Sequence, residues 1–342
     1  TEILPTEENV KITGRYYQKD NEVHLIHSGS AIEFYVTADS LEITLLGSNG
    51  IFADEKYRPR YGIFVDDKIK IDSTMGEKVK TIKVIESAVN KAKVKVMLLS
   101  ENTNGGVGVK SLKVVSSSEK AIIPVEKKSL SIEFIGDSIT CAYGVEGKNQ
   151  YENFQTLTEN FSKSYAYLAA QKLNADYSAV SYSGHGIVSG YSNGEKNSDS
   201  IILKYYTKLS RYADYPGDWD FKNHKYDVVF INLGTNDKNY VTAFPNTRND
   251  EFVEEYKNFL ELVRKNNPTS YIICTVGILG DELYPLIEKA TKLVADGTIS
   301  SYKSPVQNYQ VDGIGSDWHP SEATHQKNAN IVAEKIKNVI GK

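Results

Sequence analysis

Residues 131–141 read Ser-Ile-Glu-Phe-Ile-Gly-Asp-Ser-Ile-Thr-Cys, an apolar stretch followed at once by a polar turn. The apolar part has the composition of a buried β-strand, and Asp137, Ser138 and Thr140 follow where that strand ends. A serine between a strand and a helix can hold its hydroxyl above the sheet, with helix N–H groups behind it to bind an oxyanion. The alternative is a helix cap, because Asp and Ser are common N-cap residues. The pattern therefore predicts a nucleophile or a cap at Ser138.

From residue 129 onwards, strand candidates alternate with helix candidates. The strand candidates are 132–135, 177–182, 227–233 and 271–276. The helix candidates are 164–173, 250–266, 282–295 and 321–340. Alternation of this kind is typical of a parallel sheet covered by helices on both faces. We therefore predict an α/β/α domain over residues 129–342.

The N-terminal third has a different pattern, in which apolar residues alternate with polar ones. Nine short strand candidates are 11–16, 23–26, 31–36, 41–46, 63–65, 69–71, 79–84, 94–98 and 112–115. Short strands at this spacing, separated by turn residues, indicate an all-β sandwich, and we expect a jelly roll. We predict that this domain spans residues 1–118 and that the polar stretch 119–128 is a linker.

Two further turns, Ser-Gly-His-Gly at 183–186 and Gly-Thr-Asn-Asp at 234–237, each follow a strand candidate directly. The carboxyl ends of parallel strands lie on one rim of a sheet, where open α/β sheets bind ligands, so both turns should lie beside Ser138. There the Asn236 amide and the N–H groups of Gly184 and Ser138 would donate to an oxyanion. The alternative is a plain connection from strand to helix, since Gly, Asn and Asp are common turn residues.

A histidine on the same rim should act as the general base for Ser138. His319 is the first candidate, because it lies just before the last predicted helix and Pro320 fits the first helical position. His185 lies on the rim as well and is the alternative. The other histidines are expected elsewhere: His24 and His27 in the sandwich, His224 in a polar loop, and His325 in the last helix with its side chain on the surface.

Two residues beside His319 are further candidates. The carboxylate of Asp317 can orient the imidazole if its side chain points towards the ring, and a main-chain carbonyl of the same loop or Asp312 can do so instead. Trp318 is a candidate substrate-binding residue, since an aromatic face can pack against an apolar face of a ligand ring. The alternative for Trp318 is a core residue that anchors the last helix.

The motifs Gly-Asp-Ser-Ile-Thr, Ser-Gly-His-Gly, Gly-Thr-Asn-Asp and Asp-Trp-His-Pro, in this order and spacing, resemble the four sequence blocks of the SGNH (GDSL) hydrolases. The resemblance implies Ser138 as nucleophile, His319 as base, and an oxyanion hole formed by Ser138, Gly184 and Asn236. The family usually has an Asp three residues before the histidine, where this chain has Ser316. The resemblance therefore leaves the third catalytic residue open, and Asp317 is the nearest acid.

A narrower similarity spans nearly the whole chain. The motifs Gly-Arg-Tyr at 14–16, Ser-Gly-Ser-Ala-Ile-Glu-Phe at 28–34 and Ala-Tyr-Gly-Val at 142–145 are similar to those of carbohydrate esterase family 2. This similarity implies a serine carboxylic-ester hydrolase of the acetylxylan esterase type, which removes acetyl groups from plant polysaccharides or hexoses through an acyl-enzyme. It also implies a secreted or cell-surface protein, although residues 1–5 lack a signal-peptide pattern.

Two other functions remain as alternatives. One is an SGNH lipase or thioesterase with a longer acyl substrate, which would require an apolar rim; the loops 147–164 and 191–200 are instead rich in polar residues. The other is an inactive carbohydrate-binding protein, although all four motifs keep their reactive residues. The rates of hydrolysis of acetyl esters and of longer esters distinguish the deacetylase from the lipase or thioesterase. Activity that a serine-directed inhibitor abolishes excludes the inactive binding protein.

Composition excludes several other classes. The net charge of −4 argues against a nucleic-acid partner, and no apolar stretch has the length of a membrane span. The two cysteines are too few for a disulfide framework. No group with the spacing of metal ligands and no phosphate-binding loop is present, so we expect neither metal nor cofactor. We expect a monomer that binds acetylated polysaccharide or oligosaccharide.

Overall fold

The structure is a computed structural model that describes residues 1–341. Two six-stranded antiparallel sheets form a sandwich in the N-terminal third, and a five-stranded parallel sheet with helices on its faces follows. The predicted fold class, a β-sandwich followed by an α/β/α domain, is confirmed. The predicted boundaries at residues 118 and 128 stay predictions.

The sandwich contains twelve strands among the described residues. They are β1 (Glu2–Ile3), β2 (Lys11–Thr13), β3 (Tyr16–Lys19), β4 (Glu22–Leu25), β5 (Ala31–Ala38), β6 (Ser40–Gly47), β7 (Arg60–Val65), β8 (Lys68–Thr74), β9 (Val79–Ile85), β10 (Val89–Leu98), β11 (Val107–Val115) and β12 (Ile122–Pro124). One sheet has the order β3-β4-β11-β6-β9 and the other β12-β5-β10-β7-β8, while β1 pairs with β11 and β2 with β5. Their facing apolar residues form one core.

The sandwich contains one short strand that was not predicted, β1, and it departs from the sequence prediction at two further places. The strand predicted over 11–16 is divided into β2 and β3, because Gly14 adopts a φ of +80° that an L-residue rarely tolerates. The turn directs Arg15 out of the sheet and into the protein interior. In the predicted linker, Ile122–Pro124 pairs with β5 as an edge strand.

The second domain follows the predicted alternation of strands and helices. Its strands are β13 (Ser131–Gly136), β14 (Asp176–Ser181), β15 (Val228–Asn232), β16 (Tyr271–Val276) and β17 (Ile299–Lys303). Its helices are α1 (Ser138–Cys141), α2 (Tyr165–Lys172), α3 (Lys238–Ala243), α4 (Pro245–Asn266), α5 (Tyr284–Val294), α6 (Tyr309–Asp312) and α7 (Glu322–Ile340). The strand order is β14-β13-β15-β16-β17, all parallel. In the part of the chain described, no helix has the length and apolar character of a membrane span.

The two domains share a core and a buried ion pair. Ala31, Met97 and Leu99 of the sandwich belong to the cluster that covers one face of the parallel sheet. The fully buried Arg15 donates from Nη1 to the carbonyl of Tyr206 and from Nη2 to Glu133 Oε2, 3.3 Å away in β13. Apolar contact and a paired buried charge therefore hold the sandwich against the second domain.

Candidate active site

Ser138 lies at the end of strand β13, which is paired with β14 and β15, and begins helix α1. Asp137 is the N-cap residue of this helix, and its Oδ1 accepts the N–H of Ile139 at 3.0 Å. Gly136 is required there, since a Cβ would lie 2.0 Å from Thr140 Oγ1. The cap proposed as an alternative is thus provided by Asp137, and it leaves the Ser138 hydroxyl available at the rim.

The Ser138 hydroxyl contacts His319, which the loop before α7 brings to the same rim. The distance from Ser138 Oγ to His319 Nε2 is 2.8 Å, and His319 Nδ1 lies 2.8 Å from the main-chain carbonyl oxygen of Asp317. A carbonyl only accepts hydrogen bonds, so Nδ1 must carry the proton and Nε2 must accept from the serine. Burial lowers the pKa of His319, although the carbonyl and the charge of Asp317 act in the opposite direction. The imidazole is therefore a neutral base at neutral pH.

The Asp317 carboxylate, our first candidate for the third catalytic group, does not contact the imidazole. Its Oδ2 accepts instead from the Tyr143 hydroxyl at 3.1 Å. Asp317 and Trp318 have φ values of 50° and 63°, and this left-handed turn points the Asp317 carbonyl at the ring. Asp312 pairs with Lys327 at 2.6 Å and makes no bond to His319. Of the three acceptors predicted from the sequence, the structure selects the main-chain carbonyl.

Tyr143 is a positioning residue whose role the sequence analysis missed. Its ring stacks on His319 with centroids 4.0 Å apart and planes inclined by 29°, and Phe154 stacks on its other face at 4.6 Å. Together with the hydroxyl bond to Asp317, this contact fixes both the imidazole and the turn that orients it. The motif Ala-Tyr-Gly-Val at 142–145 was a signal in the sequence, but nothing in it indicates a contact with residue 319.

The predicted oxyanion donors converge next to Ser138, at the ends of β13, β14 and β15. Within residues 1–341, neither the Ser138 N–H nor the Gly184 N–H donates to another group. Gly184 has a φ of +75°, and no atom lies within 4 Å of where a Cβ would stand, so the space beside its α-carbon is open. The Asn236 amide donates to the carbonyl of His185 at 2.9 Å and to Asp137 Oδ2 at 3.3 Å. Two N–H groups without an acceptor among the described residues, and one amide, therefore line the same cavity as the Ser138 hydroxyl.

Two buried carboxyl groups support these turns. Asp237 accepts the main-chain N–H groups of Ile187, Val188 and Ser189, and so holds the turn after β14 against the one after β15. Burial raises the pKa of Asp237 to about 6 and that of Asp137 to about 7. Both carboxyls position main-chain and amide groups, and neither contacts His319.

His185, the alternative base, points away from Ser138. Its Nε2 lies 2.6 Å from Arg211 Nη1 and its Nδ1 lies 3.0 Å from the carbonyl of Ser183. Burial lowers its pKa to about 4, and Arg211 contributes in the same direction. Our expectation that His325 lies on the surface is wrong: it is fully buried and accepts the Tyr165 N–H at 3.0 Å.

An open cavity of about 470 Å³ lies above Ser138 and His319. Tyr191, Trp318, Lys238 and Asn239 are among the residues that line it. Trp318 is 46% exposed, so the alternative that it is a core residue is wrong. Its carbonyl accepts from Gln307 Nε2 at 2.8 Å, a contact the sequence did not indicate.

Among residues 1–341 one group of side chains has its possible ligand atoms within 4.8 Å of one another, namely Glu101, Cys141 and Glu159. Burial raises the pKa of Glu159 and of the Cys141 thiol well above their usual ranges. A carboxyl and a thiol that keep their protons are poor metal ligands. The expectation that no metal takes part stays a prediction.

Comparison with known proteins agrees with this geometry. Residues 134–327 match the model of the GDSL-like lipase/acylhydrolase family, which confirms the resemblance drawn from the four motifs. The cellulase/esterase CelE of Acetivibrio thermocellus is 38% identical over 226 residues, 64% of this chain; the match spans only 26% of that protein's length.

Two solved structures have the same two-domain architecture. The acetyl xylan esterase Est2A of the rumen bacterium Butyrivibrio proteoclasticus has a TM-score of 0.88 at 22% identity, with 100% of this chain and 99% of that chain covered. A family two carbohydrate esterase from Clostridium thermocellum, in complex with cellohexaose, has a TM-score of 0.82 at 28% identity, with 97% and 99% covered.

Proposed function

The chain belongs to the GDSL-like lipase/acylhydrolase family, and from that premise we propose that it removes acetyl groups from carbohydrate through an acyl-enzyme on Ser138. The observation that carries the proposal is the 2.8 Å contact between Ser138 Oγ and His319 Nε2 beneath an open cavity. A nucleophile, a neutral base and oxyanion donors within one rim are the groups that ester hydrolysis requires.

The acylation step follows from these positions. Ser138 Oγ attacks the ester carbonyl carbon while His319 Nε2 takes the hydroxyl proton. The resulting oxyanion accepts hydrogen bonds from the N–H groups of Ser138 and Gly184 and from the Asn236 amide. To donate to it, the amide gives up its 3.3 Å bond to Asp137 and keeps the 2.9 Å bond to the His185 carbonyl. The bond from carbon to sugar oxygen then breaks, and His319 returns its proton to that oxygen. The acetyl group remains on Ser138.

Deacylation repeats these steps with water in place of the serine hydroxyl. His319 Nε2 takes a proton from a water molecule, whose oxygen attacks the acetyl carbon, and the collapse of the second tetrahedral intermediate releases acetate and restores the Ser138 hydroxyl. In both halves the imidazolium is stabilised by the Asp317 carbonyl at 2.8 Å, with the carboxylate charge of the same residue nearby. Each oxyanion donor is worth roughly 10²–10³ in kcat.

The cavity favours a small acyl group on a polar carrier. Of the residues that line it within 1–341, Leu279 is the only aliphatic one; the others are aromatic, polar or charged, or glycine. A long acyl chain gains most of its binding energy from apolar contact, which this lining does not provide. These observations support an acetyl ester over the substrate of a lipase or thioesterase.

We propose acetylated plant polysaccharide or its oligosaccharides as the carrier. The half-exposed Trp318 and the exposed Tyr191 stand at the rim, where each offers an aromatic face to a pyranose. The carbohydrate esterases to which the chain is similar support this choice, and one of them was solved with cellohexaose. A sugar platform at Trp318 is part of the proposal.

The test compares acyl groups on one sugar carrier. We expect acetyl glucose to be hydrolysed faster than octanoyl glucose, and faster octanoyl release would assign the protein to the long-chain alternative. Product analysis on a series of mono-acetylated hexoses then identifies the hydroxyl position. Activity that persists after treatment with a serine-directed inhibitor would contradict the acyl-enzyme mechanism.

A polymeric substrate implies that the protein works outside the cell, as a secreted or cell-surface protein. We further propose that it acts as a monomer, because one chain supplies the nucleophile, the base and the oxyanion donors of the site. Detection of the protein in the medium or on the cell surface tests the first proposal, and sedimentation tests the second. A protein confined to the cell interior, or a stable dimer, would contradict them.

A further inference from the structure

Glu101 is a buried carboxylate of the sandwich that contacts the turn carrying the oxyanion donor Gly184. It follows strand β10 and is 1% exposed. Its Oε1 accepts the main-chain N–H of Ser183 at 3.1 Å, and its Oε2 accepts the Ser183 hydroxyl. A side chain from one domain therefore holds the residue next to the oxyanion hole of the other.

These bonds fix the direction of the Gly184 N–H. That N–H belongs to the peptide unit whose carbonyl is Ser183 O, and this oxygen lies 3.0 Å from His185 Nδ1. Glu101 holds the preceding N–H and the hydroxyl, so Ser183 is bonded on both sides of its α-carbon. Gly184 has no side chain, and open space surrounds the position of its missing Cβ. Two contacts therefore set its orientation: the bonds to Ser183 on its amino side, and the Tyr191 N–H, which donates to the Gly184 carbonyl at 2.8 Å.

In the described part of the chain, no cationic partner accounts for the position of the buried Glu101 side chain. Within residues 1–341 it has no ion pair with a lysine, arginine or histidine. A buried carboxylate without a cation is costly unless strong donors satisfy it. The neighbouring Glu159 accepts the Glu101 N–H at 2.7 Å, and burial raises the pKa of the Glu159 carboxyl well above its usual range. Both carboxyl oxygens of Glu101 are instead bonded to Ser183.

We propose that Glu101 is a positioning residue for the oxyanion hole, through which the β-sandwich takes part in the reaction of the second domain. The inference rests on the proposed ester hydrolysis at Ser138. Its consequence is that the catalytic domain without the sandwich has a misplaced Gly184 donor. A purely structural role for the sandwich would affect stability and leave transition-state binding unchanged.

The test replaces Glu101 in the full chain by Met, which has a similar length and no strong acceptor, and by Gln, which can still accept the Ser183 N–H. Glu33→Met is the matched control, because Glu33 is also a buried sandwich carboxylate but pairs with Lys95 at 3.3 Å. For Glu101→Met we expect kcat on 4-nitrophenyl acetate to fall by about 10²-fold, the scale of one oxyanion donor, with little change in KM. Glu101→Gln should retain most of the activity.

A second readout is the affinity for a small alkyl boronic acid, which forms a tetrahedral adduct with the serine and places an oxygen in the oxyanion hole. We expect Kd to rise in Glu101→Met by the same factor as kcat falls, and to stay unchanged in Glu33→Met. Ser183→Ala removes only the hydroxyl bond and keeps the main-chain bond, so it should lower kcat less, and it should add nothing in the Glu101→Met background, where both bonds are already absent. If Glu101→Met does not fold, Ser183→Ala with the boronic acid tests the hydroxyl bond to Glu101.

The outcomes separate the two proposals. Unchanged kcat and boronate affinity in Glu101→Met, or in Ser183→Ala, overturn the positioning role while the proposed function stands. A wild-type protein that neither hydrolyses the ester nor binds the boronate overturns both. Parallel losses in Glu101→Met and Glu33→Met would assign Glu101 to stability alone.

Discussion

Replacing Asp317 by asparagine separates the two ways in which this residue can act on His319. The substitution keeps the main-chain carbonyl, 2.8 Å from Nδ1, and removes the carboxylate charge. Asparagine also tolerates the φ of 50° found at this position. What is lost is the charge near the ring and the charged acceptor for the Tyr143 hydroxyl, a bond of 3.1 Å in an exposed location.

The structure gives the size of the expected effect. A solvent-exposed hydrogen bond contributes about 0.5–1.5 kcal/mol, so kcat/KM should fall less than about tenfold. Removal of a triad carboxylate that holds the imidazole costs about 10⁴-fold. The assay is ester hydrolysis across pH. A loss of about 10³-fold or more in Asp317→Asn would refute the assignment of the carbonyl as the acceptor.

The pH profile gives a second check on the same variant. His319 must be neutral to act as base, so activity rises as pH increases through its pKa. The Asp317 charge raises that pKa against the effect of burial. Asp317→Asn should therefore move the acid limb of kcat/KM to lower pH. Asp317→Ala serves as a comparison, since alanine adds the cost of the left-handed turn, about 1–2 kcal/mol.

Three further substitutions test other parts of the account. Asn236→Ala should lower kcat roughly 10²–10³-fold with little change in KM, and an effect confined to KM would assign the amide to ground-state binding. Trp318→Ala should raise KM for acetylated oligosaccharides and leave the hydrolysis of 4-nitrophenyl acetate unchanged. The Tm should stay near that of the wild type, because the ring is half-exposed. Equal effects on both substrates would contradict a sugar platform. Arg15→Met leaves the buried Glu133 without its cation, so urea denaturation should show a free energy of unfolding lower by about 3–5 kcal/mol. A change below about 1 kcal/mol would contradict a stabilising role for this ion pair between the domains.

The parts of the site that sequence reasoning found are those set by local structure. Ser138, Gly184 and Asn236 each follow a strand, and parallel strands bring their carboxyl ends together whatever the rest of the chain does. His319 was predicted as the base because it lies just before the last helix. These positions follow from periodicity, caps and turns, which extend over only a few residues.

Elements without a strong local signal were missed or shifted. The edge strand Ile299–Lys303 was not predicted, because its sequence Ile-Ser-Ser-Tyr-Lys is too polar to resemble a buried parallel strand. Helix α4 begins at Pro245, five residues before the predicted start at Asp250, because its first turn is polar and its only start signal is the proline.

Contacts between distant residues left no trace in the sequence. The role of the Asp317 carbonyl depends on a left-handed turn that no motif specifies. Glu101 reaches Ser183 across 82 positions of the chain, and Tyr143 stacks on a histidine 176 positions away. Such contacts require the packing of the two domains, which local patterns do not determine.

The release of acetate from acetylated xylan by the wild-type protein and by Ser138→Ala tests the central claim most directly. The account predicts that the wild-type protein releases acetate and that the variant loses at least about 10³-fold in rate while its Tm remains near that of the wild type, because the nucleophile is removed from an otherwise intact site. Acetate release by Ser138→Ala at a rate close to that of the wild type would contradict it.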